Sequence, residues 1–200
     1  MSHHIVLDID GTLMDSSTNK IEGVKPHFGV MNDETIYYFY KRPYLDEFIE
    51  FCFEEFDSVS LWTAGDKFWL DNFTKNIIKK KYSDKFLFTY HRDRCTSRNY
   101  SEGCYKSVYD QVVVTKKMKK IWKTKKAKLN GITKDNLLIV DDTPQTYIEN
   151  YGNAILIDTF DYGDTSSDKE LYKLKLFLIN LKKEKKSFRK IDKRNWSEKK

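Results

Sequence analysis

The sequence predicts an α/β fold built on a mostly parallel sheet, and three observations carry that expectation. Short apolar runs at Ile5–Leu7, Val59–Trp62 and Leu137–Val140 read as strands, the first and third apolar enough to be buried on both faces. Segments with apolar residues at helical spacing separate them, the alternation that places helices against a parallel sheet. Each run also ends in residues able to do chemistry: Asp8-Ile9-Asp10-Gly11-Thr12, Thr63-Ala64-Gly65 and Asp141-Asp142-Thr143-Pro144. Ligands of open α/β sheets bind outside the carboxyl ends of the strands, so these three ends can share one crevice.

The remaining elements follow in order. Gly11 lets the backbone turn sharply after the first strand. Ser16 to Asn32 is polar, with scattered Gly and Pro, and reads as a loop. Ile36–Tyr40 is aromatic and β-prone, a short strand. Pro43 suits the first turn of the next helix, and Arg42 with Pro43 reads as a helix-start feature. Leu45, Phe48, Ile49, Cys52, Phe53 and Phe56 give that helix one apolar face. Asp66 is placed to cap another helix, with Phe68, Trp69, Phe73 and Ile77 inward. Phe86–Tyr90 reads as a strand, and the polar stretch from Arg92 to Gln111 is too long for a simple connection, which predicts an inserted β-hairpin or small cap.

A helix is expected over Lys116–Leu129, with Met118, Ile121, Trp122 and Leu129 on one face, lysines on the other and Gly131 closing it. Thr143 and Pro144 form a cap and first-turn pair for the next helix. Ala154–Ile157 is a fourth strand. Ser167–Glu170 reads as a capping box for a last helix, with Leu171, Leu174, Phe177, Leu178 and Leu181 inward.

Composition narrows the class. Two hundred residues, 40% hydrophobic and 33% charged, suit one soluble domain with an insertion or a tail. No run approaches the roughly 18–20 apolar residues of a membrane span. The start lacks a secretory apolar core, so an intracellular protein, nuclear or cytoplasmic, is expected. Cys52, Cys95 and Cys104 are odd in number and lack metal-site spacing, as in a reducing compartment. His3 and His4 form a possible metal pair that nothing nearby completes. The net charge of +6 is local: from Lys182 onward there are ten bases and three acids, leaving 26 bases and 27 acids before it. Such a basic end can contact nucleic acid, direct nuclear import, or be a solvated, frayed terminus.

The acidic strand ends suggest a reaction. Four carboxylates in one crevice, Asp8, Asp10, Asp141 and Asp142, repel one another unless a cation joins them, and oxygen ligands with room for water and phosphate suit Mg²⁺. An Asp can then attack phosphorus covalently, while a second Asp two residues on serves as acid and base. Thr63 offers a hydroxyl and a backbone N–H to phosphoryl oxygens. One lysine is needed to balance charge on the transferring group.

At this point Asp8-Ile9-Asp10-Gly11-Thr12, Leu61-Trp62-Thr63-Ala64-Gly65, a lysine after the insertion and Asp141-Asp142 resemble the four motifs of the haloacid dehalogenase superfamily of phosphohydrolases. Tyr40–Phe48, Trp62-Thr63-Ala64, Tyr90–Cys95 and Val140–Pro144 narrow the likeness to the small phosphatases of the RNA polymerase II C-terminal domain, also called NLI-interacting-factor-like phosphatases. It runs in order from about Ile5 to Lys182 and leaves out the basic end.

The resemblance implies a three-layer, Rossmann-like phosphatase domain over 1–182, with a small β insertion at about 84–115 between the second and third motifs, and a basic tail over 183–200. It implies a Mg²⁺-dependent phosphoserine/phosphothreonine protein phosphatase working through an aspartyl-phosphate. Asp8 would be the nucleophile and Asp10 the acid and base. Thr63 would hold the phosphoryl group, and Lys116 would be the motif lysine, with Lys117 its nearest rival. The metal set would be Asp8, Asp10 through its backbone carbonyl, Asp142, and Asp141 as ligand or neighbour. Thr12, Ala64, Trp69 and Arg92 would contact substrate.

Three departures bear on the substrate. Gly11 stands where the family usually has Glu, Asp66 replaces an apolar residue of a proline pocket whose aromatic partner matches Trp69, and the stretch from Cys95 to Lys116 is longer. The chemistry is intact. The substrate is left between a phosphoprotein, such as the polymerase repeats, and nucleic-acid ends or small phosphate esters. A binding module without catalysis is a third reading, against which both Asp8 and Asp10 stand. A monomer without membrane contact is expected, with weak nucleic-acid contact through the tail.

Overall fold

Ile5, Val6 and Leu7 are wholly buried, and their strand lies at the centre of the sheet. The computed structural model describes residues 2–99, 112–162 and 167–198. In chain order the strands are β1 (His4–Leu7), β2 (Met14–Ser17), β3 (Phe28–Asn32), β4 (Thr35–Lys41), β5 (Ser58–Trp62), β6 (Thr89–Tyr90), β7 (Thr96–Asn99), β8 (Val112–Thr115), β9 (Leu137–Asp141) and β10 (Ala154–Leu156). The α-helices are α1 (Leu45–Glu55), α2 (Lys67–Asn72), α3 (Lys80–Ser83), α4 (Lys119–Trp122), α5 (Lys125–Leu129) and α6 (Glu170–Lys183).

Five parallel strands form the main sheet in the order β10-β9-β1-β5-β6. Side chains alternate across a strand, so Ile5 and Leu7 enter one core with α1 and α6 while Val6 enters another with Met118 and Ile121. Each buried Leu, Ile or Phe contributes about 1.5–3 kcal/mol through the water it leaves. Leu7 pairs with Leu61 on one side and Val140 on the other. That register carries Asp8, Trp62 and Asp141 to one level at the carboxyl edge, with Thr63 and Asp142 one step beyond. Among the described residues no helix is long and apolar enough to cross a membrane.

Several expectations need correcting. The stretch from Ser16 to Asn32, read as a loop, contributes β2 and β3 to an antiparallel sheet of order β2-β4-β3. In β3 the half-buried Phe28, Val30 and Asn32 alternate with exposed Gly29 and Met31, too faint a pattern to stand out among polar neighbours. Phe28 stacks on Phe39 with ring centroids 4.4 Å apart. Pro43 lies before α1 rather than inside it, because Tyr44 adopts φ 63° at the helix's N-cap. The helix expected over Lys116–Leu129 is two short ones, since Thr124 accepts the N–H of Ala127 at 3.0 Å and starts a new turn. Leu129 is then 87% exposed rather than inward. The segment after Thr143 is a kinked 3₁₀ stretch, Pro144–Asn153.

α6 begins at Glu170, whose N–H goes to Asp168 Oδ1 at 3.0 Å, so its N-cap is Lys169 and not Ser167. The arms of the expected insertion pair as the antiparallel hairpin β7–β8; positions 100–111 of it, Cys104 included, lie outside the described residues. Residues 183–198, expected as a tail, pack on the body instead. Phe188, Ile191 and Trp196 are buried, and Trp196 Nε1 donates to Leu156 O of the outermost strand at 2.5 Å.

Asp15 on β2 gives a pH signature. Burial pushes its carboxyl up to about 6, against the opposing N–H of Ser16 at 2.7 Å. A carboxyl raised on folding costs stability once ionised: the cost is absent below its unfolded value near 4 and complete above pH 6. Asp15→Asn is therefore expected to raise Tm at pH 7.5, with the gain vanishing by pH 4. Equal gains at both pH values would contradict this.

Candidate active site

The ends of β1, β5 and β9 deliver carboxylates and a hydroxyl to the same edge, and one lysine ties the ends of β1 and β9 together. Asp8 leaves β1 with its N–H on Val140 O at 3.0 Å, which locks the β1–β9 register to the end. Lys116, wholly buried just after β8, donates from Nζ to Asp8 Oδ1 and, at 2.8 Å, to Asp141 Oδ2. Lys117, the rival, pairs with Glu149 at 2.8 Å instead. Burial opposes the Lys116 charge, but the carboxylates of Asp8 and Asp141 outweigh it and raise its pKa. Burial pushes Asp8 well above the usual carboxylate range despite that ammonium.

Asp10 is set two residues on, with Oδ2 accepting the Thr63 hydroxyl at 2.7 Å. Burial raises its carboxyl too, the Thr63 hydrogen bond and Lys116 working the other way. The backbone N–H of Thr63, expected to face phosphoryl oxygens, is spent on Tyr90 O at 3.0 Å, because the sheet pairing runs one residue past β5 and β6. Its hydroxyl accepts Gly65 N–H at 2.8 Å. Thr63 thus links Asp10 to the turn that follows it.

The late acids complete the cluster. Asp141 is wholly buried and accepts Thr143 N–H at 3.0 Å, while Asp142 accepts the Thr159 hydroxyl at 2.8 Å. Ligand oxygens of Asp8, Asp141 and Asp142 lie within 4.8 Å of one another. The Asp10 side chain is outside that trio. Four carboxylates here share one buried ammonium, and the donor set is all hard oxygen. That excess of negative charge and that donor set fit Mg²⁺.

Of the expected substrate contacts, Thr12 is fully buried, with its hydroxyl 3.3 Å from Asp142 Oδ1 and 3.5 Å from Asp8 Oδ2. Ala64 and Arg92 lie together at the rim, where exposed Arg92 donates from Nε to Ala64 O at 2.9 Å. Trp69 packs edge-on to Tyr37 at 4.9 Å and against Phe39 at 5.2 Å, joining α2 to the small antiparallel sheet. Gly11 holds φ 71°, and a Cβ there would clash with Asp142 Oδ2. A side chain at this position, Glu included, is strained and displaces a candidate ligand.

Four supporting residues were not singled out from sequence. Arg42, read as a helix-start feature, is 1% exposed and reaches across the back of the site. Its guanidinium donates to Thr12 O at 3.0 Å, Asp158 O at 2.8 Å and Asp168 Oδ2 at 2.9 Å. It thereby ties the loop after Asp10, the loop after β10 and the start of α6. Thr159, Asp168 and Asn150 act beside it. The Asn150 amide donates to Lys116 O at 2.6 Å and accepts Met118 N–H at 3.3 Å, which holds the lysine's backbone. The run Lys41-Arg42-Pro43 was visible, but only the three-dimensional closure of α6 over it reveals the role. Arg42→Met is expected to cost about 3–5 kcal/mol, because it leaves a buried acid and two carbonyls without their donor; urea denaturation measures this, and a change under about 1 kcal/mol would contradict it.

A parallel sheet bearing these groups on its carboxyl edge has the fold of the haloacid dehalogenase phosphatases. Two solved structures share it: that of Fcp1, an essential RNA polymerase II CTD phosphatase, with TM-score 0.55 and 16% identity over 94% of this chain and 51% of that one, and fission yeast Fcp1-R271A bound to beryllium fluoride, with TM-score 0.53 and 15% identity over 94% and 53%. The chain belongs to the NLI interacting factor-like phosphatase family, whose model matches residues 3–189. It is 28% identical over 185 residues to the putative CTD phosphatase-like protein 355R of Invertebrate iridescent virus 6, covering 86% of this chain and 94% of that protein. It is 26% identical over 172 residues to nuclear envelope morphology protein 1 of Saccharomyces cerevisiae, covering 82% of this chain and 36% of that one. The chain thus spans nearly the whole viral relative and about a third of the yeast one.

Proposed function

We propose that this phosphatase is a Mg²⁺-dependent phosphoserine/phosphothreonine protein phosphatase that works through an aspartyl-phosphate on Asp8. The observation that carries the reading is the position of Asp8: at a strand end, against Lys116, with the oxygens of Asp141 and Asp142 within 4.8 Å of its own. Asp8, Asp141 and Asp142, with the Asp10 backbone carbonyl, would hold Mg²⁺, which when bound offsets the charge of a phosphate dianion and polarises its oxygens.

The chain's own residues do the rest. An Asp8 oxygen bonds to phosphorus as the serine or threonine oxygen leaves. Asp10, whose carboxyl burial favours the protonated form, gives that leaving oxygen its proton. The carboxylate of Asp10 then takes a proton from water, whose oxygen attacks phosphorus and frees Asp8. Thr63 orients Asp10 through its 2.7 Å hydrogen bond, and the Lys116 ammonium balances charge on the transferring group. Arg92, which is exposed, would contact the phosphopeptide.

The class of the relatives favours a protein substrate over the alternative of nucleic-acid ends or small esters. A phosphoserine heptad peptide is expected to be hydrolysed at least tenfold more efficiently than a 3′-phosphorylated oligonucleotide, with Mg²⁺ required and EDTA abolishing both rates. The reverse preference would move the assignment to nucleic-acid ends. Turnover untouched by EDTA would remove the metal.

A further inference from the structure

Residues 117–128 contain seven lysines and no acid. Two of their ammonium groups are fixed along one edge of the main sheet. Lys126 Nζ donates to Leu87 O at 2.5 Å and stands over the Phe88 ring at 5.4 Å. Lys120 Nζ donates to Arg94 O at 2.8 Å and Cys95 O at 3.0 Å. The Arg94 guanidinium stands 4.9 Å from the Tyr90 ring centroid. All these anchor points lie on β6, the segment leading into it and the turn after it, so the cations form a row that follows the edge strand.

The upper end of that row is the catalytic rim. Thr63 N–H pairs with Tyr90 O, and Arg92 binds Gly65 O through its N–H and Ala64 O through Nε. Two acids stand near. Asp93 is 83% exposed beside His91, and Glu149 pairs with Lys117. A lysine-rich helix face is ordinarily a solvated surface, but this one brings like charges together: Lys119 and Lys123 sit at i, i+4, a spacing that destabilises a helix when both charges match. Among the described residues neither is paired with an acid that would offset the repulsion. An anionic ligand would.

We propose that the row along β6 is a docking surface for the protein substrate, where Lys120, Lys126 and Arg94 take acidic or further phosphorylated side chains on the same polypeptide as the scissile phosphate. This rests on the protein-phosphatase reading above. Only a ligand joined to the scissile phosphate gains from a row that starts at the pocket, and the protein-phosphatase reading makes that ligand a polypeptide. From Leu87 to Tyr90 the edge strand spans roughly 10 Å, so the second anion sits about three to five residues from the first.

The test compares the full chain with the triple variant Arg94→Gln/Lys120→Gln/Lys126→Gln on peptides carrying one phosphoserine, or that residue and a second phosphoserine four positions away. In 50 mM salt the wild type is expected to show about tenfold lower KM for the doubly phosphorylated peptide at similar kcat, the yield of a few exposed ion pairs. The difference should shrink in 300 mM salt and be absent in the variant, whose turnover of p-nitrophenyl phosphate stays at the wild-type level. Equal KM values for the two peptides, or a preference the variant keeps, would overturn the proposal. So would variant losses confined to binding of single-stranded DNA or of phosphatidylserine vesicles, which would assign the row to nucleic acid or membrane. Absence of wild-type turnover on any phosphopeptide, with oligonucleotide turnover intact, would instead overturn the reading on which it rests.

Discussion

Asp8→Asn is expected to lower hydrolysis of an aryl phosphate by at least about 10⁴-fold while leaving the fold at least as stable as the wild type. Both halves follow from one environment. The amide keeps the shape of the carboxylate and can still accept from Lys116, yet it cannot form an acyl phosphate. Its charge is also gone from a place where burial penalises ionisation and where Asp10 and Asp141 repel it. The variant therefore relieves a cost paid by the folded enzyme, so Tm should hold or rise. Steady-state kinetics with a parallel thermal melt separates the effects. Lost turnover with a lowered Tm would point to damage rather than chemistry, and retained turnover would remove Asp8 from the reaction.

Lys116→Met is expected to do the opposite to stability. Among the described residues the ammonium is the one cation between Asp8 and Asp141, both within hydrogen-bond reach. Removing one partner of a buried charge network leaves the others uncompensated, which costs about 3–5 kcal/mol. The sign with pH is fixed by the groups left behind. Without the lysine, Asp8, already pushed up by burial, prefers its protonated form still more, so the deficit is largest at pH 7.5 and shrinks as acid supplies the proton. Mg²⁺ should recover part of it, since a cation can stand in for the missing charge. Turnover should fall by about 10²–10³-fold through lost stabilisation of the transferring group. Urea denaturation at pH 7.5 and pH 5, each with and without Mg²⁺, measures this; a variant as stable as wild type at pH 7.5 would contradict the charge balance described here.

What could be read from residues alone was the part of the molecule with an unmixed signal. Ile5–Leu7 and Leu137–Val140 are apolar on every position, and the acids after them could only mark the ends of buried strands. Lys116 was legible through its place after the insertion, and the contacts of Lys116 and Lys117 now separate the two. The small antiparallel sheet was not legible, because β2 and β3 are half-exposed and keep too few apolar residues to show a period of two. Residues 183–198 were hidden by their own charge: seven bases mask Phe188, Ile191 and Trp196, which fasten the segment to the body. Arg42 showed only as part of the Lys41-Arg42-Pro43 run, and Asn150 carries no local signature. Their roles come from partners 126 and 34 positions away, Asp168 and Lys116.

The central claim is that phosphate passes through the Asp8 carboxylate. Quenching the enzyme with sodium borohydride during turnover of a phosphoserine peptide reduces an acyl phosphate to an alcohol, and peptide mass spectrometry then locates the change. The prediction is a reduced side chain at position 8, formed only with substrate and Mg²⁺ present. Position 8 unmodified under conditions of full turnover, or reduction at position 10 instead, would contradict it.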